Sequence, residues 1–384
     1  MRILVITHEY PPIGGGGANA CRFLCRCLSA GGHEGVILTS AYQRLPKEEQ
    51  AGNFRIIRVP ALRAKKEKST FPEMFTYLCS AMLRADRLVR KETFDICQVF
   101  FGIPSGPIAL FLKKKYRLPY VVRFGGGDIP GAQKRFSTLY KLLAPLIRAI
   151  WGHADALIAN SDGLKQRALR FENRYPVQVI CNGVDTAFFR PATAQAGQSQ
   201  RDTGAWEILF VSRLIEGKGM QFVIPHLRKI AEGLGRAVHL TIVGDGPYRR
   251  ELERIACEAG VESMVSFAGN RGKAELPAWY QKADVFILPS LSEGMPNVAL
   301  EAMACGLPVI MTPCEGSREL IGDNGIIAEQ AQFIAEMIRL GNNPDLGREM
   351  GRLGREKAVQ VFRWEKTAEA YEGVYREVMT KGRL

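Results

Sequence analysis

Twice along its length this chain alternates short apolar runs, rich in Val, Ile and Leu, with longer amphipathic stretches, and no other feature restricts its fold as much. The spacing predicts strands over 3–7, 36–39, 56–59, 96–100, 120–124, 156–159 and 177–180, separated by helices such as 18–29, 73–90 and 137–151. Runs that are apolar at every position suit strands buried on both faces, and parallel neighbours need a crossover between them, usually a helix. The first half therefore reads as a doubly wound α/β sheet. Residues 192–205, ATAQAGQSQRDTGA, carry no apolar period and read as a linker. After them the alternation restarts, with strands expected over 208–211, 238–243, 265–268, 285–288 and 309–311. At 384 residues there is chain enough for two cores, since single cores stop growing at roughly 250–300 residues. From Gln330 onward, helical stretches over 330–340, 346–362 and 364–379 follow without strands. The expected organisation is a Rossmann-like domain over 1–191, the linker, a second Rossmann-like domain over 206–363, and a terminal helix from about 364 to 384 that packs back on the first domain.

The net charge of +13 is unevenly placed. Residues 1–190 hold 29 Lys and Arg against 14 Asp and Glu, whereas residues 191–384 hold 23 against 25. Clusters lie at 63–68 (RAKKEK), at Lys113, Lys114 and Lys115, and at Lys134 and Arg135. A solvated basic surface accounts for them, and so does attraction to anionic lipid or an acidic acceptor; no nucleic-acid module accompanies the charge, so nucleic acid is not an expected partner. No run approaches the ~20 apolar residues of a spanning helix. MRILVIT enters a strand pattern without a small-residue cleavage site, so no signal peptide is expected. Nine cysteines, an odd number placed in apolar segments such as FDICQVF and EAMACGLPVI, suit a reducing cytoplasm. Cys21, Cys25 and Cys27 do not converge on one face of a helix and read as core thiols rather than a metal site.

Open α/β sheets bind ligands outside the carboxyl ends of their strands, so functional residues are expected just after strands. The first such place is PPIGGGGANA, 11–20, where Gly15, Gly17 and Ala20 fit the relaxed dinucleotide fingerprint. A nicotinamide enzyme also needs an acidic residue at the end of the second strand, and VILTSAY ends in Thr39 and Ser40, which argues against it. The densest pattern is LPSLSEGMPNVALEAMACGLPVI, 288–310. Glu293 precedes the loop Gly294, Met295, Pro296 and Asn297, and Glu301 lies inside the helix that follows, flanked by Ala299, Leu300, Ala302 and Met303, where a solvated charge is unexpected. Loop amides and a helix N-terminus favour an anion. In FVSRLIEGKGM, 210–220, Arg213 offers a fork of donors and Lys218 a point charge near an expected helix start at Gly219, a pair suited to a diphosphate. In IVGDGPYRREL, 242–252, Gly244 opens a turn that either admits a ligand to the backbone or is an ordinary tight turn.

In their order these motifs, together with CNGVDTAFFRP (181–191) and FRWEKTAEAYEGVY (362–375), resemble the retaining GT-B glycosyltransferases of family 4 over nearly the whole chain. The resemblance implies two Rossmann-like domains facing a cleft, a nucleotide-sugar donor held mainly by the second, and an acceptor held by the first. It makes Arg213 and Lys218 the cations of the donor diphosphate and assigns Glu301 to the ribose hydroxyls. Glu293 and the backbone of Gly294, Met295, Pro296 and Asn297 would hold the sugar and phosphates. It places Gly15, Gly16 and Gly244 beside the donor, and Asp128, His8 and Glu9 on the acceptor side. No D-x-D motif stands at a strand end, so no metal is expected. A family His usually follows the strand corresponding to 120–124; here YVVRFGGGDIPG puts Gly125 there, and the imidazole is absent. Transfer in this family is thought to let the leaving phosphate take the acceptor proton, so activity is still expected. The expected reaction is transfer of a hexose from a nucleotide sugar, UDP-sugar favoured, to a lipid-linked or cell-envelope glycan by a cytoplasmic protein peripheral to the membrane. A non-catalytic or partner-dependent GT-B protein is the alternative, resting on Gly125 alone, and a GT-B epimerase lacks its motifs here.

Overall fold

The structure is a computed structural model whose described residues are 1–66, 69–130, 137–192 and 204–381. The expected linker falls almost wholly outside the described residues, as do Lys68, Lys134 and Arg135. The chain divides into two units.

The first unit comprises Met1–Asn182 and the helix Trp364–Lys381. Its sheet has eight strands: β1 (Arg2–Thr7), β2 (Glu34–Ser40), β3 (Glu48–Ala51), β4 (Phe54–Val59), β5 (Ile96–Phe100), β6 (Tyr120–Arg123), β7 (Ala156–Ala159) and β8 (Val177–Val179). They lie in the order β3-β4-β2-β1-β5-β6-β7-β8. All neighbours are parallel except β3 and β4. The spacing did not predict β3, because EEQA carries no apolar residue of strand type; it forms as the edge of a hairpin turned at Gly52 (φ 60°). Leu4, Ile6, Val36 and Val99 face one core, shared with helices Phe71–Lys91, Gly102–Tyr116 and Ser137–His153. Ile3, Val5 and Ile37 face the other, shared with helix Gly16–Ala30 and with Tyr371, Val374, Tyr375 and Val378 of the terminal helix. Trp364 stacks on Phe23 at 5.4 Å, and the Tyr375 hydroxyl donates to Gln98 Oε1 at 2.8 Å. Cys21 and Cys25 are buried in this core, and among the described residues no three His, Cys, Asp or Glu side chains are grouped to hold a metal.

The second unit, Gly183–Arg363, holds β9 (Trp206–Val211), β10 (Val238–Val243), β11 (Val265–Gly269), β12 (Val285–Leu288), β13 (Val309–Met311) and β14 (Gly325–Ile327). The order is β11-β10-β9-β12-β13-β14, all parallel. The three-residue β14 is too short to announce itself by pattern. The first unit ends at Asn182 rather than at 191, because the segment after it is bound into the second unit. Val184 N donates to Phe362 O at 2.6 Å, Arg355 Nη1 donates to the carbonyls of Thr186 and Phe189, and the Phe189 ring meets Tyr280 edge-on. Gly219 does not start a helix: its φ is 78°, and short 3-10 turns over Glu216–Lys218, Met220–Phe222 and Ile224–His226 precede the α-helix Leu227–Leu234.

Both sheets carry a topological switch point, where the chain leaves one half of the sheet for the other. In the first unit it lies between β1 and β5, in the second between β9 and β12.

Candidate donor and acceptor sites

At the second unit's switch point, the loops after β9 and β12 are joined backbone to backbone. Leu291 N donates to Gly217 O at 2.9 Å, and a Cβ on Gly219 would lie 1.9 Å from the Pro289 carbonyl oxygen. Only glycine tolerates that approach at positive φ. This join brings two expected residues together: Lys218 Nζ donates to Glu293 Oε1, with 19% and 14% of the two side chains exposed. Without a ligand each neutralises the other, so Lys218 is an engaged cation rather than an open one. Arg213 is half-buried, and its guanidinium has no hydrogen bond or ion pair to any described residue. Beyond Glu293, Met295 is buried, and Pro296 caps helix Asn297–Ala304, whose first amides lack intrahelical acceptors.

Glu301 lies on that helix among the fully buried Ala299, Leu300, Ala302 and Met303. Its Oε2 accepts from the Tyr280 hydroxyl at 3.0 Å. Burial raises the carboxyl to about 7, against the opposing pull of Lys273 and of the Tyr280 hydrogen bond. A half-buried carboxyl in this state is no solvated surface charge; it is a hydrogen-bonding group held at the edge of the apolar core. Gly244 receives a different explanation from a ligand's approach. At φ 133° its Cβ would lie 1.9 Å from the Ser212 carbonyl oxygen, so the β9 backbone alone demands glycine there. Tyr280 and Lys273 escaped the sequence analysis because nothing local to AELPAWYQK marks them as neighbours of Glu301.

At the first unit's switch point, parallel pairing of Thr7 with Phe100 sets the next residues, His8 and Phe101, side by side, their rings 5.3 Å apart and edge-on. His8 is 8% exposed; burial lowers its imidazole to about 4, helped by Arg63 and opposed by Glu9, so it is neutral at physiological pH. Glu9 accepts from Arg63 Nη2 at 2.9 Å, and Arg63 also donates to Ser69 Oγ and to the Lys66 carbonyl. The two residues that sequence reasoning grouped line one cavity but differ in their bonds: Glu9 anchors the basic loop through Arg63, while the His8 imidazole lies against the Phe101 ring. Asp128, expected to meet the acceptor, has both oxygens bound by backbone. Oδ2 accepts from Gly102 N at 2.7 Å and Oδ1 from Gly125 N at 2.8 Å, and burial raises its pKa. It staples the loops after β5 and β6.

The glycines of PPIGGGGANA divide in the same way. Gly14 has φ 89° and its Cβ would meet Glu9 and Ala18; a Cβ on Gly17 would lie 2.5 Å from the Phe101 ring. Packing within the unit explains both. Gly15 precedes the helix that begins at Gly16, and a Cβ there meets nothing within 4 Å. At Gly125 a Cβ would lie 2.2 Å from two Phe101 ring carbons, so the place of a side chain at 125 is taken by Phe101. A cavity of about 650 Å³ opens here, lined by His8, Phe71, Met74, Phe101, Ile103 and Leu143 among others.

Two family models match the chain in succession: one described as "Glycosyl transferase 4-like domain" over residues 15–183, and one as "Glycosyl transferases group 1" over 205–343. A GDP-mannose-dependent alpha-(1-6)-phosphatidylinositol monomannoside mannosyltransferase of Mycobacterium tuberculosis is 27% identical over 390 residues, 96% of each chain. An N-acetyl-alpha-D-glucosaminyl L-malate synthase of Bacillus anthracis is 29% identical over 392 residues, 99% of this chain and 98% of that one. Among solved structures, a sucrose-phosphate synthase from Thermosynechococcus elongatus superposes with a TM-score of 0.85 at 22% identity, covering 99% of this chain and 100% of that one. With both sheets doubly wound, the motifs in order and the two models matched one after the other, this chain belongs to the GT-B glycosyltransferases of group 1, family 4.

Proposed function

We propose that this protein transfers a hexosyl group, with retention, from a nucleotide sugar bound by the second unit to a hydroxyl of a lipid-linked or cell-envelope glycan bound by the first. The observation that carries the reading is the second unit's switch point, where two joined loops carry Lys218 and Glu293 and lead into helix Asn297–Ala304 with its half-buried Glu301. Breaking a sugar–phosphate bond builds negative charge on the leaving diphosphate, and fixed cations and amides stabilise that charge. Lys218 and Arg213 supply the cations and the loop Gly294, Met295, Pro296 and Asn297 the amides. A donor diphosphate would draw Lys218 from Glu293 and free that carboxylate for the sugar hydroxyls. Glu301 accepts from the ribose. These groups balance the charge of the diphosphate, so the reading requires no metal cofactor.

UDP-sugar is the favoured donor, and the name of the mycobacterial relative makes GDP-mannose its competitor. The first unit's cavity supports an acceptor with an apolar part. Phe71, Phe75, Leu142 and Leu146 are exposed on the two helices that contribute Phe71 and Leu143 to it. Among the described residues no helix is long and apolar enough to cross a membrane, so attachment through these residues and the basic surface of the first half would be peripheral, on the cytoplasmic face. The non-catalytic alternative rests on Gly125, whose lack of a side chain has a packing reason of its own in the Phe101 ring.

Thermal unfolding with UDP-glucose and with GDP-mannose tests the donor. One of them should raise the melting temperature of the wild type and fail to do so in Glu301→Ala, with EDTA making no difference. Neither raising it would reject the site.

A further inference from the structure

Phe101 carries a backbone that L-residues rarely adopt, φ 72° with ψ 124°, at the carboxyl end of β5. Three hydrogen bonds over-determine it: Phe101 N to Arg123 O at 3.1 Å, Gly102 N to Asp128 Oδ2, and Gly125 N to Asp128 Oδ1. Its ring fills space that Gly17, after β1, and Gly125, after β6, both leave vacant. Three loops of one sheet thus cooperate to seat one half-buried ring at a switch point. A ring needed only to fill the core does not require a strained backbone or a place on a cavity wall; strain of this kind collects where a ligand is handled. Around the same cavity, Phe71, Met74, Ile103 and Leu143 are apolar, and the neutral His8 imidazole, whose Nδ1 is buried without a partner among the described residues, shares the remaining wall with Glu9, Lys65 and Thr70. An apolar wall with polar groups along one edge matches an amphipathic molecule, apolar at one end and hydroxylated at the other.

We infer that Phe101 is the specificity-determining residue of this pocket: the acceptor packs its apolar part on the Phe101 ring and presents a hydroxyl to His8. This rests on the proposed transferase reading for the word acceptor, but the binding itself is testable without turnover.

The probe is n-octyl β-D-glucopyranoside below its micelle concentration, titrated calorimetrically into the full chain, with glucose as the polar control. The wild type should bind the octyl glucoside and not glucose. Phe101→Ala should weaken that binding by about tenfold or more, as expected for losing an aromatic contact, and Phe101→Leu by about threefold or less. The melting-temperature shift given by the nucleotide sugar should be the same in all three proteins, which a general loss of structure would not allow. Gly125→Ala should behave like a displaced ring, and Phe101→Ala should restore cooperative unfolding to Gly125→Ala. Unchanged octyl glucoside affinity in Phe101→Ala, or a wild type that ignores the glucoside, overturns the inference. A wild type that binds the glucoside but no nucleotide sugar rejects the donor site and leaves Phe101 supported.

Discussion

The two units share a parallel sheet with a switch point beside its first strand, yet they furnish that point with opposite chemistry. In the second unit it holds an ion pair, a half-buried carboxyl and a helix N-terminus. In the first it holds a phenyl ring, a neutral imidazole and an apolar cavity. The joins differ as well. Backbone meets backbone at Gly219 and Pro289, whereas the carboxylate of Asp128 bridges the loops of the first unit. Topology decides where a ligand can sit; the side chains placed there give one point a charged character and the other a largely apolar one.

Removing the cation of Lys218–Glu293 in one unit and of Arg63–Glu9 in the other should separate the two most widely. Lys218→Ala should lower transfer by about 10²–10³-fold, the loss seen for single groups that stabilise developing charge, and should cost less stability than Arg63→Ala, because Lys218 holds Glu293 alone whereas Arg63 also holds Ser69 and the Lys66 carbonyl. Arg63→Ala leaves Glu9 buried without its partner and frees the basic loop, so it should cost about 3 kcal/mol of stability. Assay and thermal unfolding of both variants check this, and reversed outcomes would exchange the roles given to the two pairs. Next in size is Gly219→Ala. A Cβ 1.9 Å from a carbonyl oxygen at φ 78° forces the joined loops apart, costing about 2–3 kcal/mol by denaturant unfolding without any ligand present.

The sequence was far more informative about the second site than about the first, for a physical reason. Charged groups in apolar surroundings are expensive, so Glu301 among Ala, Leu and Met announces itself, and Lys218 and Glu293 stand directly after strands. Phe101 had no such contrast: FFGIP reads as the end of a strand, and only the register of β1 against β5 and the two distant glycines reveal its place. The strands were legible wherever they are buried on both faces. The edge strand β3 and the three-residue β14 were not, since main-chain pairing rather than apolar pattern makes them. The unit border lay at Asn182 rather than 191 because Val184 and Phe189 are committed to partners 178 and 91 residues further on, which no local composition can show.

Acidity offers a finer separation, with opposite signs. The His8 pKa is lowered from 6.5 to about 4, so the folded state resists protonation; its contribution is complete above pH 6.5 and is lost as pH falls toward 4. The Glu301 pKa is raised from 4.5 to about 7, so its burial burdens the fold above pH 7 and is relieved as pH falls toward 4.5. Between pH 7 and 4.5, therefore, His8→Gln should gain stability relative to the wild type and Glu301→Gln should lose its advantage over it. Each difference is of order 2 kcal/mol, read from unfolding curves at several pH values. Parallel slopes would mean that water reaches one of the two groups.

The smallest effect on folding belongs to Gly15 in the glycine-rich loop, and there the two explanations of a glycine part most cleanly. Gly14 and Gly17 are required by Glu9, Ala18 and Phe101, so substitutions at either destabilise the unit whatever it binds. At Gly15 a Cβ touches nothing within 4 Å. If packing were its only constraint, Gly15→Val would be silent. The family resemblance instead reserves Gly15 and Gly16 for the donor, which predicts a change in stability within about 0.5 kcal/mol together with a clear rise in KM for the nucleotide sugar. Equal KM would reduce the loop to a turn into the first helix. A raised KM with unchanged unfolding would make Gly15 a position reserved for the nucleotide sugar rather than for the fold.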